Sequence, residues 1–389
     1  MRIAFFSNFL NHHQLPLCKA LSERCEGFRF VACEKIPEDR IKMGYEDMNT
    51  SYPFVVRAYE DADEAMRIAK EYDAVIFGSA PTFYLAERMR ENKLSFRFCE
   101  RSLKKGTWRR FIPTTRKKII DGYTAYKDKQ LYILGASAFA SGDLALCGFD
   151  AKKCFKWGYF PQVEEKDLDA LFSLKEKNER VEILYAGRLL PLKRVIDTAM
   201  AVNSLVKRGI KNLHFTVVGE GEEKENIAEY VKCNGLSDYV SFHPFTTPEG
   251  VREYMDRADI YVFGSDFHEG WGAVMNEAMN SACAVVVSHA VGSAAFLVEN
   301  GKSGYVYKCG SVKDLASKLE VLVTDAEHRR NVAKSSYETV EKLWRAEVAA
   351  ERFVSLCNAI FEGKDITALY ENGPVSPAGI IKNDWIKRI

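Results

Sequence analysis

No apolar run in this sequence could cross a bilayer. One of the longest, "ACAVVV" at 282–287, falls far short of the ~20 residues a spanning helix needs. The chain opens on "MRIAFFSNFL", which lacks the basic, apolar, small-residue order of a secretory signal. We therefore expect a cytoplasmic protein, at most peripheral on the inner face of a membrane. No two of the ten cysteines form a CxxC pair, which argues against a cysteine metal site and for reduced, mostly buried thiols. Neither sign of charge is in excess, with 55 basic against 54 acidic residues, so net charge selects no partner and any electrostatic signal has to be local. No segment of about 20–50 residues repeats, and no low-complexity tract appears. The glycines of "VVGEGEE" lack the third member of a dinucleotide fingerprint, because Lys224 stands in its place. A tight turn explains them more simply than NAD does.

What is present is a folded α/β pattern. At 389 residues, 47% hydrophobic and 28% charged, the chain suits two domains rather than one core. Short apolar runs alternate with amphipathic stretches: "RIAFFS", "FRFVACE" and "DAVIFGSAP", then, after the polar segment 162–180, "VEILYAG", "LHFTVVGEG", "YVSFHPF", "DIYVFGS", "CAVVVSH" and "GYVYK". Helices dominate from about 312 to 363. Such alternation predicts two doubly wound, Rossmann-like layers of parallel strands, with ligands beyond the strands' carboxyl ends.

The chemistry-bearing residues fall at those ends. In "AGRLLPLKR", Arg188 and Lys193 flank a Pro191 turn, and two cations on a strand-to-helix turn suit an anion such as phosphate. A solvated loop would also explain them. In "HEGWGAVMNEAMN", Glu269 and Glu277 stand on either side of Gly270, Trp271 and Gly272. The glycines allow close backbone approach, and the helix that follows offers free amides. A carboxylate in front of that turn and another about a turn and a half into the helix can accept hydrogen bonds from hydroxyls at two depths. The helix dipole alone accounts for Glu269 but not Glu277. A ligand with an anionic centre and hydroxyls on both sides would engage every one of these groups, and a nucleotide-sugar has that shape.

The set "GRLLPLK", "VVGEG", "HEGWGAVMNEAM" and "VENGKSGYVY" resembles the retaining nucleotide-sugar glycosyltransferases of family 4, which have the GT-B fold of two Rossmann-like domains facing a central cleft. The resemblance runs over roughly 181–310, and its most specific element is the E-x7-E pair. It implies a metal-independent hexosyltransferase that needs no cofactor beyond its donor substrate, a UDP-sugar by family prior. Glu269 would contact the transferred sugar, with Gly270, Trp271 and Gly272 beside it. Glu277 would bind the ribose, and Arg188 and Lys193 the diphosphate. No DxD-like pair marks a strand end, in keeping with a reaction that uses no metal. It also implies an acceptor-binding domain over 1–160 and a donor-binding domain over 161–371. A tail from about 372 to 389 would return to the first domain, with Trp385 and Ile386 packing there; a short amphipathic membrane contact is the competing reading of the same residues. One departure is "VGSAAFLVENG", with Ser293 after Gly292 and Phe296 where many members have an acid.

In place of the family's paired glycines after the first strand, this chain carries "SNFLNHHQLP", with Asn8, Asn11, His12, His13 and Gln14. A histidine here, His13 by preference, could touch diphosphate or acceptor and relay its proton. The alternative is a helix-entry loop in which one His caps and the other is solvated. From 101 to 118 there are eight basic residues and no acidic one, interrupted by Trp108, Phe111 and Ile112. That stretch suits peripheral contact with anionic lipid, and a glycan or glycolipid acceptor carried on lipid phosphate would account for it, as would a solvated basic loop with no partner. No nucleic-acid recognition motif accompanies the charge. Two other functions use the same residues. A nucleotide-sugar epimerase would need acid/base groups on both sides of the sugar. A silent partner subunit would keep the site without turnover.

Overall fold

The computed structural model describes residues 1–38, 41 and 46–388. The alternating pattern builds two sheets, all of whose strand pairings are parallel. Parallel strands need helical crossovers, which cover both faces of a sheet. That is why "AVIF" at 74–77 and "AVVVS" at 284–288 are buried at every residue instead of every second one.

The first compact unit comprises Met1–Gln162 and Arg345–Lys382. Its strands are β1 Arg2–Ser7, β2 Gly27–Ala32, β3 Val55–Arg57, β4 Ala74–Phe77, β5 Ser95–Cys99, β6 Leu131–Gly135 and β7 Cys154–Lys156, in the order β3-β2-β1-β4-β5-β6-β7. Arg88, on the helix Thr82–Arg90, is 1% exposed and pairs with no carboxylate among the described residues. Its guanidinium instead donates to Ser95 Oγ and to the carbonyls of Ala69, Tyr72, Asp73 and Leu94, joining that helix to the start of β5. Burial holds its pKa down at about 10, so it stays charged at neutral pH.

The chain returns to this unit earlier than 372. The helix Ala346–Phe361 already lies here, with the Phe353 ring edge-on to Phe96 at 4.8 Å and 5.9 Å from Trp157. Its apolar stripe needs a core to cover, and the sheet supplies one. Residues 375–378 then run antiparallel along β7: Lys156 N donates to Ser376 O at 2.8 Å and Ala378 N to Cys154 O at 2.9 Å. This covers an edge that would otherwise expose unpaired amides. Trp385 does not join this unit as expected. Residues Asn383–Ile389 belong to the second, where Trp385 Nε1 finds an acceptor in His289 O at 2.9 Å. Ile389, the end of the expected tail, lies outside the described residues.

The second unit, Val163–Trp344 with Asn383–Ile389, holds β8 Val181–Ala186, β9 Leu213–Val218, β10 Val240–His243, β11 Ile260–Phe263, β12 Ala284–Ser288 and β13 Tyr305–Tyr307 in the order β10-β9-β8-β11-β12-β13. Ile183, Val217, Val262 and Val286 lie at the centre of its core. In each sheet the direction of winding reverses once, between β1 and β4 and between β8 and β11. Loops leaving such a reversal diverge and open a crevice for ligand.

Candidate functional site

Arg188 and Lys193 lie on the loop that leaves β8, and Glu269 on the loop that leaves β11, so they flank the reversal point of the second sheet. The two loops are joined by Asp266 N, which donates to Leu192 O at 2.9 Å. The ammonium of Lys193 donates to Glu269 Oε2, and Ser265 Oγ donates to the same oxygen at 3.0 Å. Both side chains of that ion pair are mostly shielded, at 17% and 16% exposure. The Lys193 ammonium also sits 5.3 Å from the centre of the Phe263 ring. Arg188 is exposed and makes no ion pair among the described residues; its carbonyl accepts the Tyr185 hydroxyl at 2.9 Å. The Tyr185 hydroxyl pKa is pushed up by burial, then by the Glu269 carboxylate, and is opposed by Arg188. Those three groups therefore share one electrostatic neighbourhood.

The glycines on either side of the tryptophan differ in role. Gly270 is buried. Gly272 has φ +84°, and a Cβ there would come within 2.2 Å of the Phe263 ring, so only glycine lets the loop pass that ring. Trp271, expected beside the sugar, is fully buried. Its indole N–H donates to Asn276 Oδ1 at 3.0 Å, and its ring packs with Phe296 and Trp344 at 6.2 and 5.6 Å. A side chain with no exposed surface cannot touch a ligand, so Trp271 is a core residue. The same cluster accounts for the sequence departure. Phe296 stacks on Trp344, and the buried Ser293 hydroxyl donates to Trp271 O at 2.6 Å.

Glu277 lies in the first turn of the helix Val274–Asn280, not a turn and a half in, because that helix begins only at Val274. It is thus the carboxylate that helix-dipole reasoning accounts for, and Glu269, held in the preceding loop, is not. Arg252, on the helix Pro248–Arg257, places Nη2 3.5 Å from Glu277 Oε1. Burial raises the Glu277 pKa and Arg252 opposes the rise. No local pattern in the sequence singles out Arg252. The glycines of "VVGEGEE" hold one loop against another. A Cβ on Gly219, at φ +143°, would meet Gly187 O at 2.0 Å, and Leu189 N donates to Glu220 O at 2.8 Å.

His13 belongs to the first unit, on the loop leaving β1 at that sheet's own reversal point. A cavity of about 640 Å³ opens there beyond the carboxyl ends of β1, β4 and β5, lined by Asn8, His12, His13, Arg97, Glu100 and Tyr159 among others. The His12 and His13 rings are 3.8 Å apart, and His13 meets the Tyr159 ring edge-on at 6.3 Å. The Tyr159 hydroxyl donates to Glu100 Oε1 at 3.2 Å. In the turn that leads into the helix Leu15–Arg24, Asn11 Oδ1 accepts from His13 N at 3.1 Å and Gln14 N at 3.2 Å. Of the basic stretch, Arg101 is buried and salt-bridged to Asp143 at 3.0 Å, so it is structural. Trp108 and Phe111 are exposed at 60% and 71%. Among the described residues, no three His, Cys, Asp or Glu side chains gather where a metal ion could sit.

Two doubly wound units, the second with a cation–carboxylate site at its reversal point, define an α/β protein of GT-B fold. Residues 168–339 match the family described as "Glycosyl transferases group 1". Among curated relatives, alpha-D-kanosaminyltransferase of Streptomyces kanamyceticus is 26% identical over 192 residues, 48% of this chain and 49% of that one. The capsular polysaccharide biosynthesis glycosyltransferase CapM of Staphylococcus aureus is 24% identical over 246 residues, 60% of each chain. The chain thus spans about half to three-fifths of the length of these relatives. Among solved structures, Anabaena HepE in complex with UDP superposes with a TM-score of 0.68 over 92% of this chain and 100% of that one. At 14% identity that likeness speaks for the fold alone.

Proposed function

We propose that this protein is a retaining glycosyltransferase of family 4. It would move a hexosyl group from a UDP-sugar to an acceptor hydroxyl without a metal, with donor bound by the second unit and acceptor by the first. The observation that carries the reading is the Lys193–Glu269 pair beside Arg188, which makes no ion pair among the described residues, at the β8/β11 reversal. The match of residues 168–339 to group 1 glycosyl transferases supports it, as does the UDP held by HepE. The leaving group is a nucleoside diphosphate, so the chief catalytic task is to stabilise negative charge as the glycosidic bond breaks. Arg188 and Lys193 carry the charges for this. Glu269, held by Lys193 and Ser265, presents its carboxylate to the sugar hydroxyls and orients the ring without attacking it. Glu277 accepts from the ribose hydroxyls, and the leaving phosphate assists the incoming hydroxyl. His13 is the residue placed to contact acceptor or diphosphate from the first unit. The setting we propose is polysaccharide or glycolipid assembly on the cytoplasmic side, with peripheral membrane contact through 101–118.

The test is thermal shift of the full chain with UDP, GDP and ADP, followed by release of the nucleotide from the corresponding sugar donors. A ligand at a hundred times its Kd adds about 2.7 kcal/mol. One nucleotide should shift the wild type, and Arg188→Ala should lose most of the shift. If no nucleotide moves the transition, the site has outlived its activity and the transferase reading fails.

A further inference from the structure

A second cavity, of about 600 Å³, adjoins the first unit's polar one, and Arg97, Ser102 and Tyr123 line both. The second is cationic. Besides Arg97 it is lined by Lys104, Lys105, Arg109 and Lys118, against one carboxylate, Asp121, which Lys117 already engages at 2.8 Å. Among the described residues Lys104 forms an ion pair only with Glu100, at 3.7 Å. Among the described residues Arg97, Lys105, Arg109 and Lys118 make no ion pair, and Arg97 Nε is out of solvent with no hydrogen-bond partner. A buried donor left without an acceptor is costly, and like charges gathered without counter-ions repel, though only weakly where, as at Lys105 and Lys118, they are exposed. Packing within the first unit engages the rest of the Arg97 guanidinium, through Gly78 O at 3.4 Å and the Tyr123 ring at 5.3 Å, and leaves Nε unanswered. An anion with several oxygens, able to take the planar donors of a guanidinium and the point charges of lysines together, removes both costs, and phosphate has that chemistry.

We infer that the acceptor carries a phosphate or diphosphate group, which the first unit holds in the cavity of Arg97, Lys105, Arg109 and Lys118. The hydroxyl-bearing end of the acceptor would lie in the adjoining cavity near His13. This rests on the proposed function for the word acceptor, but the anion site can be measured without it. Trp108 and Phe111 lie on the 3-10 turn Thr107–Phe111 that carries Arg109, so a phosphate borne on lipid and one borne on a soluble glycan both fit.

The experiment titrates inorganic diphosphate into the full chain saturated with UDP, which keeps the second unit's phosphate site occupied. One binding event is expected. Losing a charge-assisted hydrogen bond should weaken it about tenfold or more in Arg97→Gln and in Lys105→Gln/Arg109→Gln, but not in Arg188→Ala. The lysine–arginine pair is more accessible to solvent than Arg97 Nε, so that variant reports even if Arg97→Gln misfolds. Absence of binding in the wild type, or equal affinity in all variants, overturns the inference. If UDP does not bind, diphosphate affinity in the first-unit variants still decides it, so the two ideas fail separately. Phosphatidylglycerol vesicles distinguish the sources. Vesicles that compete with diphosphate assign the group to a lipid. Vesicles that leave diphosphate affinity unchanged assign it to a soluble phosphorylated glycan. Both results uphold the phosphate.

Discussion

Replacing Glu277 with alanine tests the donor site most directly, because the structure separates its effect on binding from its effect on folding. The carboxylate is 16% exposed and has Arg252 at 3.5 Å. Without ligand, the substitution removes a partner from a mostly shielded guanidinium and should cost about 1–3 kcal/mol. With nucleotide, a carboxylate accepting from two ribose hydroxyls contributes about 1.5–3 kcal/mol for each charged hydrogen bond, so affinity should fall about 150-fold or more. At a nucleotide concentration a hundred times the wild-type Kd, the wild type gains about 2.7 kcal/mol, whereas the variant gains about 0.3. For a body of about 150–250 residues, 1 kcal/mol moves Tm by about 2–4 °C, so the shift should shrink from about 5–10 °C to about 1 °C. The quantity to compare is the ligand-induced shift of each protein, since the apo Tm falls for a separate reason. Glu277→Gln keeps the shape and should lie between the two. A variant that keeps the full shift would show that Glu277 only positions Arg252, and the assignment of the ribose to this helix would be wrong.

The raised pKa of Glu277 gives a pH dependence of definite sign. A folded-state value above the unfolded one means that the group's contribution to stability is present at low pH and lost as pH rises through the folded value. Stability of Glu277→Gln relative to wild type should therefore improve from pH 4 to pH 8, and equal pH dependence would refute the burial account. Gly272→Ala combines left-handed strain with a clash against Phe263 and should cost about 2–5 kcal/mol in chemical denaturation. Because Lys193 sits over that ring, nucleotide affinity should fall as well; a fully stable variant with intact affinity refutes the geometry. Trp271→Ala opens a cavity in a buried aromatic cluster and should lower stability by about 3–5 kcal/mol, whereas a change in nucleotide affinity alone would return Trp271 to the binding site. All ten cysteines are free, and Cys233 alone of them is exposed among the described residues. It should react first with a thiol reagent, and Cys233→Ser should remove the fast phase.

The sequence by itself determined the fold class and where the chemistry could lie. Strand and helix periods are properties of neighbours along the chain, so "VEILYAG" and "DIYVFGS" declare buried parallel strands before any contact is known. The residues after them, Arg188, Lys193 and Glu269, must then emerge at the carboxyl ends. The strands β3 and β7, three residues each, are too short to show a period. What only the tertiary structure decided is partnership and depth. Trp271 and Glu269 are near neighbours in sequence, yet one is sealed in an aromatic cluster with Trp344 and the other is held at the loop by Lys193. Arg101 and Arg109 sit in the same basic run, but Asp143 draws the first inside while the second lines an open cavity. Arg252 reaches Glu277, and residues 375–378 find the edge of β7, from segments that no local pattern connects. Burial of a charge depends on which distant group comes to neutralise it, and that choice belongs to the packing of whole elements rather than to the order of residues within them.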